Sequence, residues 1–181
     1  MKFDILHSIE VLESTPATLR SLLGALSEEW TIDRSRNVGS EIQDQQWQPF
    51  DVVGHLIHGE ETDWVPRARI ILEQGENRTF VPFDRFAQFE RWRGRSLAEL
   101  LDEFERLRAV NIETVRSWDL TDDQLDLEGV HPALGEVTLR QLLATWVVHD
   151  LNHIRQIVTA MSRRYKNEVG AWREYLSILS P

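Results

Sequence analysis

The chain has 181 residues, with 20 Lys and Arg against 30 Asp and Glu and therefore a formal net charge of -10. A chain of this length can bury its own core without disulfides, so we expect a single domain spanning residues 1–181. The negative charge disfavours nucleic acid and anionic membranes as partners, and the absence of cysteine excludes disulfides, thiolate metal ligands and a cysteine nucleophile.

The N-terminal segment MKFDILHSIEVLEST has acidic residues where a signal peptide would have basic ones. No apolar run in the chain approaches the length of a membrane span, so we expect a cytoplasmic protein. Apolar residues recur every three or four positions over residues 3–27, which predicts one helix with a buried face. Pro16 interrupts this pattern and predicts either a kink or a short helix leading into a second one.

The second predicted helix follows a polar, irregular stretch over residues 28–48, which is typical of a long connection. Pro49 suits the first turn of a helix that runs to about Leu72, and we expect Pro66 to bend this helix. Residues 74–94 then predict another loop, which we expect to pack across one end of a helical bundle.

The third predicted helix begins at a capping box formed by Ser96 and Glu99 and runs to about Trp118. Its apolar residues form the clearest amphipathic pattern in the chain. The following residues, 119–137, contain Gly and His-Pro signals that suggest an extended excursion or a loose hairpin.

The fourth predicted helix begins at a second capping box, Thr138 and Gln141, and runs to about Tyr165. A short segment over residues 168–179 closes the chain. Four long helices without convincing strand pairs predict an all-α fold, a four-helix bundle with long loops acting as crossovers.

The sharpest local motif is HDLNH, which places His149 and His153 four residues apart in the fourth helix. This spacing is about one helical turn, so both imidazoles project from one face and can approach a single ion. A third ligand has to come from another helix, and His55 is the best candidate because its apolar neighbours turn it inward. The alternative is a pair that lies on a solvated face by chance.

Three neutral imidazoles around a divalent ion leave at least one coordination position open, as in catalytic metal sites. Bound water or the thiol of a small substrate would take this position and act as the nucleophile, since the protein has no cysteine. Imidazole accepts several metals, of which zinc or nickel is the expected ion.

Other side chains near the second-helix histidine are weaker candidates. His58 lies one turn from His55 and could replace it as a ligand. Either Glu60 or Glu61 could serve as a general base, and Glu61 is the catalytic candidate: Glu60 lies off the face of His55, and Glu61 lies closer to a neighbouring face. A solvated helix carboxylate is nevertheless the expected interpretation of both.

The HDLNH motif also has neighbours on the fourth helix. Trp146 and Gln156 lie one turn before and one turn after the histidine pair, so they share its face and could line or polarise a cavity. Asp150 and Asn152 cannot share that face, so we expect them to pack between helices or to support the ligands.

Two stretches, PFDVVGHLIHGEETDW and HPALGEVTLRQLLATWVVHDLNHIRQI, carry a family resemblance. They resemble the DinB-like/YfiT superfamily of bacterial metal-binding four-helix bundles over essentially the whole chain, and most closely its uncharacterised DinB-like members. The resemblance implies the metal triad of that superfamily, a histidine of the second helix and the pair of the last long helix, which fall on His55, His149 and His153.

The resemblance also implies an activity. Characterised relatives include transferases that use bacillithiol or mycothiol, and maleylpyruvate isomerase, so a metal-activated low-molecular-weight thiol is an expected nucleophile. An acidic cosubstrate could then contact Arg67, Arg69 or Arg155 if the fold brings one of them to the cavity. Because relatives are often dimers, we expect a homodimer.

Three functions therefore compete at this point. The first is a metal-dependent thiol transferase or hydrolase that acts on a small molecule. The second is a non-catalytic metal-binding or stress-related ligand-binding module, in which Glu61 or His58 closes the coordination sphere. The third is a plain helical dimerisation domain, which the many apolar helix positions would also suit.

Overall fold

A computed structural model describes residues 1–32 and 47–180. In this part of the chain, eight α-helices and one β-hairpin follow in the order α1 (Ile5–Leu23), α2 (Glu28–Thr31), α3 (Pro49–Thr62), α4 (Trp64–Glu73), α5 (Ala87–Arg91), α6 (Leu97–Ser117), α7 (Asp122–Leu125), β1 (Glu128–His131), β2 (Gly135–Thr138) and α8 (Leu139–Ser162). Short 3₁₀ turns at Arg163–Tyr165, Gly170–Tyr175 and Ser177–Leu179 complete the chain.

Four long helices form the bundle. Helix α3 packs against α6 and α8, and α1 packs against the same two helices from the other side. This arrangement confirms the predicted all-α four-helix bundle. None of the described helices is both long and apolar enough to cross a membrane.

Helix α1 continues through Pro16 as one helix, so the alternative of a short helix leading into a second one is wrong. It begins at Asp4, whose carboxylate accepts the backbone N–H groups of Leu6 and His7. Because proline has no N–H, the carbonyl of Leu12 cannot receive its helical hydrogen bond from Pro16. That carbonyl instead accepts a hydrogen bond of 2.7 Å from Arg108 Nη1 on α6.

The predicted second helix is in fact two helices, α3 and α4, separated at Asp63 rather than bent at Pro66. The ring of a proline clashes with the carbonyl four residues earlier and cannot donate to it. For Pro66 that carbonyl belongs to Thr62, the last residue of α3. The interruption therefore falls before the proline, which lies in the first turn of α4.

The predicted loops contain more regular structure than expected. Helix α2 begins the first connection, whose remainder over residues 33–46 lies outside the described residues. The second connection contains α5, which packs on α3. In the third, α7 precedes an antiparallel hairpin in which Glu128 pairs with Thr138. Of the two alternatives predicted for residues 119–137, an extended excursion or a loose hairpin, the structure has the hairpin.

Both capping boxes are confirmed. Ser96 and Glu99 cap α6, and Thr138 and Gln141 cap α8. In each box the hydroxyl accepts the backbone N–H three residues later while the longer side chain returns to the first backbone N–H. These helices end within a few residues of the predicted positions.

The buried apolar residues form two clusters along the bundle. Trp64, Trp146 and Leu139 belong to one cluster, whereas Trp47 and Leu56 belong to the other. Trp64 contacts His149 and Trp47 contacts His55. The histidines of the predicted site therefore lie between the two clusters.

Candidate metal centre

Three histidines from two helices converge at this junction. His55 Nε2 on α3 lies 3.1 Å from His149 Nε2 on α8. The latter atom lies 3.0 Å from His153 Nε2, one turn further along α8. One ligand atom from each residue falls within 4.8 Å of the others, and no further histidine or carboxylate in the described part of the chain joins this group. The spacing and the resemblance had singled out the same three residues.

Burial keeps the three imidazoles neutral. Burial, with a smaller contribution from the neighbouring imidazole of His153, lowers the pKa of His55 to about 3 and that of His149 to about 2. Burial also lowers the pKa of His153, against the opposing effect of its hydrogen bond with Gln156. Each ring therefore carries a lone pair at pH 7, which is the form that binds metal ions.

The hydrogen bond between His153 and Gln156 orients one of these lone pairs. Gln156 Oε1 lies 2.7 Å from His153 Nδ1, and with the amide oriented this way it accepts the Nδ1 proton. The Nε2 lone pair of His153 then points at the other two rings. Gln156 thus polarises the site, as predicted from its position on the helix face.

The donor set fits a divalent metal ion. A single ring nitrogen cannot donate to two neighbours, so His149 Nε2 cannot satisfy both of its close contacts by hydrogen bonding. Tetrahedral bonds of about 2.0–2.1 Å place ligand nitrogens about 3.4 Å apart, close to the 3.0 and 3.1 Å observed. An ion at the centre would use all three lone pairs, so these residues could hold zinc or a similar metal.

Aromatic rings surround the three histidines. Trp47 and Phe83 contact the ring of His55, with centroids 5.0 and 5.4 Å away. The ring of Trp64 packs edge-on against His149 at 4.9 Å. Trp146, predicted as wall or core, is core: it is 1% exposed and stacks on Trp64. These rings make the surroundings of the site largely apolar.

The two weaker ligand candidates, His58 and Glu61, lie outside the group of three histidines. His58 contacts Phe83 at 4.8 Å. Glu61 is half-buried and pairs with Arg91 on α5, although burial raises its pKa above the usual range. Neither residue belongs to the cluster of potential ligand atoms.

Glu60 corrects the expectation of a solvated carboxylate, since it is only 2% exposed. It accepts hydrogen bonds from Arg108 and Asn111 on α6 and from the indole N–H of Trp146. Asp150 is fully buried and pairs with the same guanidinium, which agrees with its predicted packing role. The partners of Glu60 lie 48 or more positions away in sequence, so local spacing could not identify them.

The basic residues proposed for an acidic cosubstrate are engaged elsewhere. Arg67 pairs with Asp63, and Arg155 donates to Asn152. Arg69 lies over the ring of Trp118. A further basic residue, Arg85, which the sequence did not single out, lies beside the aromatic rings of the site.

Arg85 lies beside the site through its contact with an aromatic ring. Its guanidinium carbon lies 5.7 Å from the centroid of Trp47, the ring that contacts His55. Its charge also contributes to the lowered pKa of His153, after burial as the main cause. A cation therefore lies at the edge of the site.

Comparisons with known proteins agree with this architecture. The model of the DinB superfamily matches residues 12–157. Among solved structures, YfiT from Bacillus subtilis, described as a probable metal-dependent hydrolase with an unusual four-helix bundle topology, has 26% sequence identity and a TM-score of 0.67, over 88% of this chain and 86% of that chain. None of the curated proteins matches the sequence.

Proposed function

The chain belongs to the DinB superfamily, and we propose that it is a metal-dependent enzyme in which His55, His149 and His153 hold a divalent ion that acts on a small molecule. The observation that carries the proposal is the convergence of three neutral imidazoles, in which His149 Nε2 lies 3.1 Å from His55 Nε2 and 3.0 Å from His153 Nε2. Buried rings in this arrangement have no better joint partner than a cation.

Hydrolysis is the first reaction to test, and transfer to a low-molecular-weight thiol is the second. A divalent ion supplies Lewis acidity and lowers the pKa of a water molecule or thiol that it binds toward neutrality. Three protein ligands leave room for such a molecule. The description of YfiT as a probable metal-dependent hydrolase supports the first reaction. The absence of a protein cysteine is compatible with the second, in which the substrate brings the thiol.

The residues around the site favour a substrate with an apolar part and an anionic group. Trp47 and Phe83 supply apolar surface next to His55. Arg85, whose guanidinium lies over the ring of Trp47, supplies a positive charge beside this apolar surface. We therefore propose a small carboxylate-bearing or similarly anionic molecule as the substrate class.

Metal analysis of protein purified without a histidine tag tests the proposal. We expect about one zinc or nickel ion per chain, and loss of the ion after treatment with a chelator. A purified protein that neither retains a divalent ion nor binds one at micromolar concentration would contradict the proposed metal site.

A screen of the metal-loaded and metal-stripped protein then tests catalysis. Ester, amide and amidine substrates are offered with and without a small thiol. Turnover that needs metal but no thiol supports hydrolysis, whereas turnover that needs both supports transfer. A metal-loaded protein that turns over none of the substrates would instead favour the non-catalytic metal-binding module.

A further inference from the structure

A single buried guanidinium connects all four long helices. Arg108 on α6 donates to the Leu12 carbonyl on α1 at 2.7 Å and to Glu60 Oε1 on α3 at 2.8 and 3.1 Å. It also forms two parallel hydrogen bonds with Asp150 on α8, at 2.6 and 3.0 Å. The side chains of this charged group are at most 2% exposed.

The same guanidinium joins the two helices that carry the histidines. Glu60 follows His55 by five residues on α3, and Asp150 lies between His149 and His153 on α8. The fixed fork of a guanidinium holds both carboxylates in a defined geometry. Arg108 therefore fixes how α3 is placed against α8, and with it the separation of His55 from the pair.

A second set of contacts leads from Glu60 to the site. The indole N–H of Trp146 donates to Glu60 Oε1 at 3.0 Å. The ring of Trp146 stacks on Trp64 with centroids 5.9 Å apart, and Trp64 packs edge-on against His149. Glu60 thus also orients the rings that support one of the three imidazoles.

Two carboxylates face one guanidinium in this group. Both oxygens of Glu60 and both of Asp150 accept hydrogen bonds, from Arg108, from Asn111 and from the indole of Trp146. Burial opposes the charge of Arg108, but Glu60 and Asp150 outweigh this effect and raise its pKa above the ordinary value. The group thus has one more carboxylate than guanidinium in a buried region, where a nearby cation would offset the cost of a negative charge.

We propose that Glu60, Arg108 and Asp150 act together as a positioning network for the metal ion, holding the three histidines in register and offsetting the positive charge of the ion. This inference rests on the proposed metal site. It assigns a role to residues that need not touch the ion or the substrate. It also accounts for the presence of two buried carboxylates beside the single guanidinium of Arg108.

The test compares variants in which a neutral amide replaces one carboxylate, called the charge-neutral variants, with a variant that alters packing alone. Glu60→Gln and Asp150→Asn keep the side-chain shape and remove one negative charge each. Val115→Ala, on the same helix as Arg108 and also buried, removes apolar contacts without altering the charged group. For each protein, the Kd for Co²⁺ is measured by competition with a chelator, and the metal-free unfolding midpoint is measured in urea.

We expect Glu60→Gln and Asp150→Asn to weaken Co²⁺ binding about 10-fold to 100-fold, as for other residues that support metal ligands. Val115→Ala should lower the unfolding midpoint while its Kd stays within about threefold of the wild-type value. Unchanged affinity in both charge-neutral variants would overturn the inference. If Val115→Ala loses as much Co²⁺ affinity as the charge-neutral variants, the loss comes from reduced stability in general, and this result too would overturn the inference.

Arg108→Lys keeps the charge but cannot form the forked contacts with both carboxylates. We expect altered visible absorption bands of the bound Co²⁺, because the ligands shift relative to each other. Identical bands would contradict the positioning role, even if the charge-neutral variants lose affinity. Wild-type protein that binds no metal would instead refute the proposed function, so the two failures are distinguishable.

Discussion

The Nε2 atoms of His55 and His149 lie 3.1 Å apart, although the two residues are separated by 94 positions in sequence. They reach each other only when α3 packs against α8. The complete three-histidine group therefore exists only in the folded chain. A metal bound there would stabilise the folded state, since the unfolded chain offers the local pair at most.

Replacing His55 by alanine should abolish tight metal binding, because the remaining pair supplies only two ligands. His58→Ala is the matched control, since His58 lies one turn away on the same helix and outside the ligand group. We expect metal content near zero for His55→Ala and unchanged for His58→Ala, measured by mass spectrometry of the purified proteins. Equal metal content in both variants would show that the third ligand has been misassigned.

The stability of the metal-free protein should fall as the pH is lowered from about 6.5. Burial lowers the pKa of His55 to about 3 and that of His149 to about 2, while both titrate near 6.5 in the unfolded chain. Between these values the unfolded chain binds protons that the folded protein does not, so acid favours unfolding. Each histidine contributes up to about 1.4 kcal/mol per pH unit.

Urea unfolding of the metal-free protein at pH 7.5, 6 and 5 measures this dependence. The free energy of unfolding should be nearly constant above pH 7 and decrease below about 6.5. His149→Leu removes one of the two groups, so its free energy should fall less steeply with pH. If the free energy of unfolding of His149→Leu falls with pH as steeply as that of the wild type, His149 does not contribute to the pH dependence.

The sequence predicted the bundle well because its strongest signals are local. The capping boxes at Ser96 and Thr138 each involve residues only three positions apart, and both lie where predicted. The position of the α3–α4 break was wrong because the effect of Pro66 falls on a carbonyl four residues earlier. The single domain and the homodimer stay predictions.

The candidate site was predicted only in part, because only some of its residues lie close together in sequence. The histidines that spacing and resemblance singled out do converge, while their role as metal ligands stays a prediction. The charged network was missed because its partners come from four helices. Arg108 and Asn111 nevertheless lie on the apolar face of α6, together with Phe104 and Ile112, and polar residues on such a face could have indicated buried partners.

The hairpin should be sensitive to a methyl group at Gly129. A Cβ built there lies 2.7 Å from the ring of Phe80 and 2.8 Å from the side chain of Ile71. Both neighbours are at most 1% exposed, so they cannot move aside without disturbing the core. We expect Gly129→Ala to lower the free energy of unfolding by about 1–3 kcal/mol, as is typical of overpacking.

Gly75→Ala is the control for this substitution, because a Cβ at Gly75 meets no atom within 4 Å. Urea unfolding of both variants at pH 7.5 compares them directly. The Gly75 variant should differ from wild type by no more than about 0.5 kcal/mol, the usual range for surface positions. A Gly129 variant as stable as the control would show that the hairpin can shift away from Phe80.

Arg85 should determine a preference for anionic ligands at the site. Its guanidinium lies over Trp47, and the ring of Trp47 contacts His55, so we expect a ligand bound to a metal at the histidines to interact with this charge. An exposed ion pair contributes up to about 1 kcal/mol, which corresponds to about a fivefold difference in affinity. Mercaptoacetate and 2-mercaptoethanol are suitable probes, since they differ in one negative charge.

The measurement is the absorption change when each thiol is added to the Co²⁺-loaded protein. Wild type should bind mercaptoacetate several-fold more tightly than 2-mercaptoethanol, beyond any difference seen with a free cobalt chelate, and Arg85→Gln should lose that preference. Arg93→Gln is the control, because Arg93 is exposed and pairs with Glu90. If Arg85→Gln keeps the wild-type ratio, the anionic group is recognised elsewhere; if the two thiols bind wild type equally, the substrate class proposed here is wrong, although the metal site would stand.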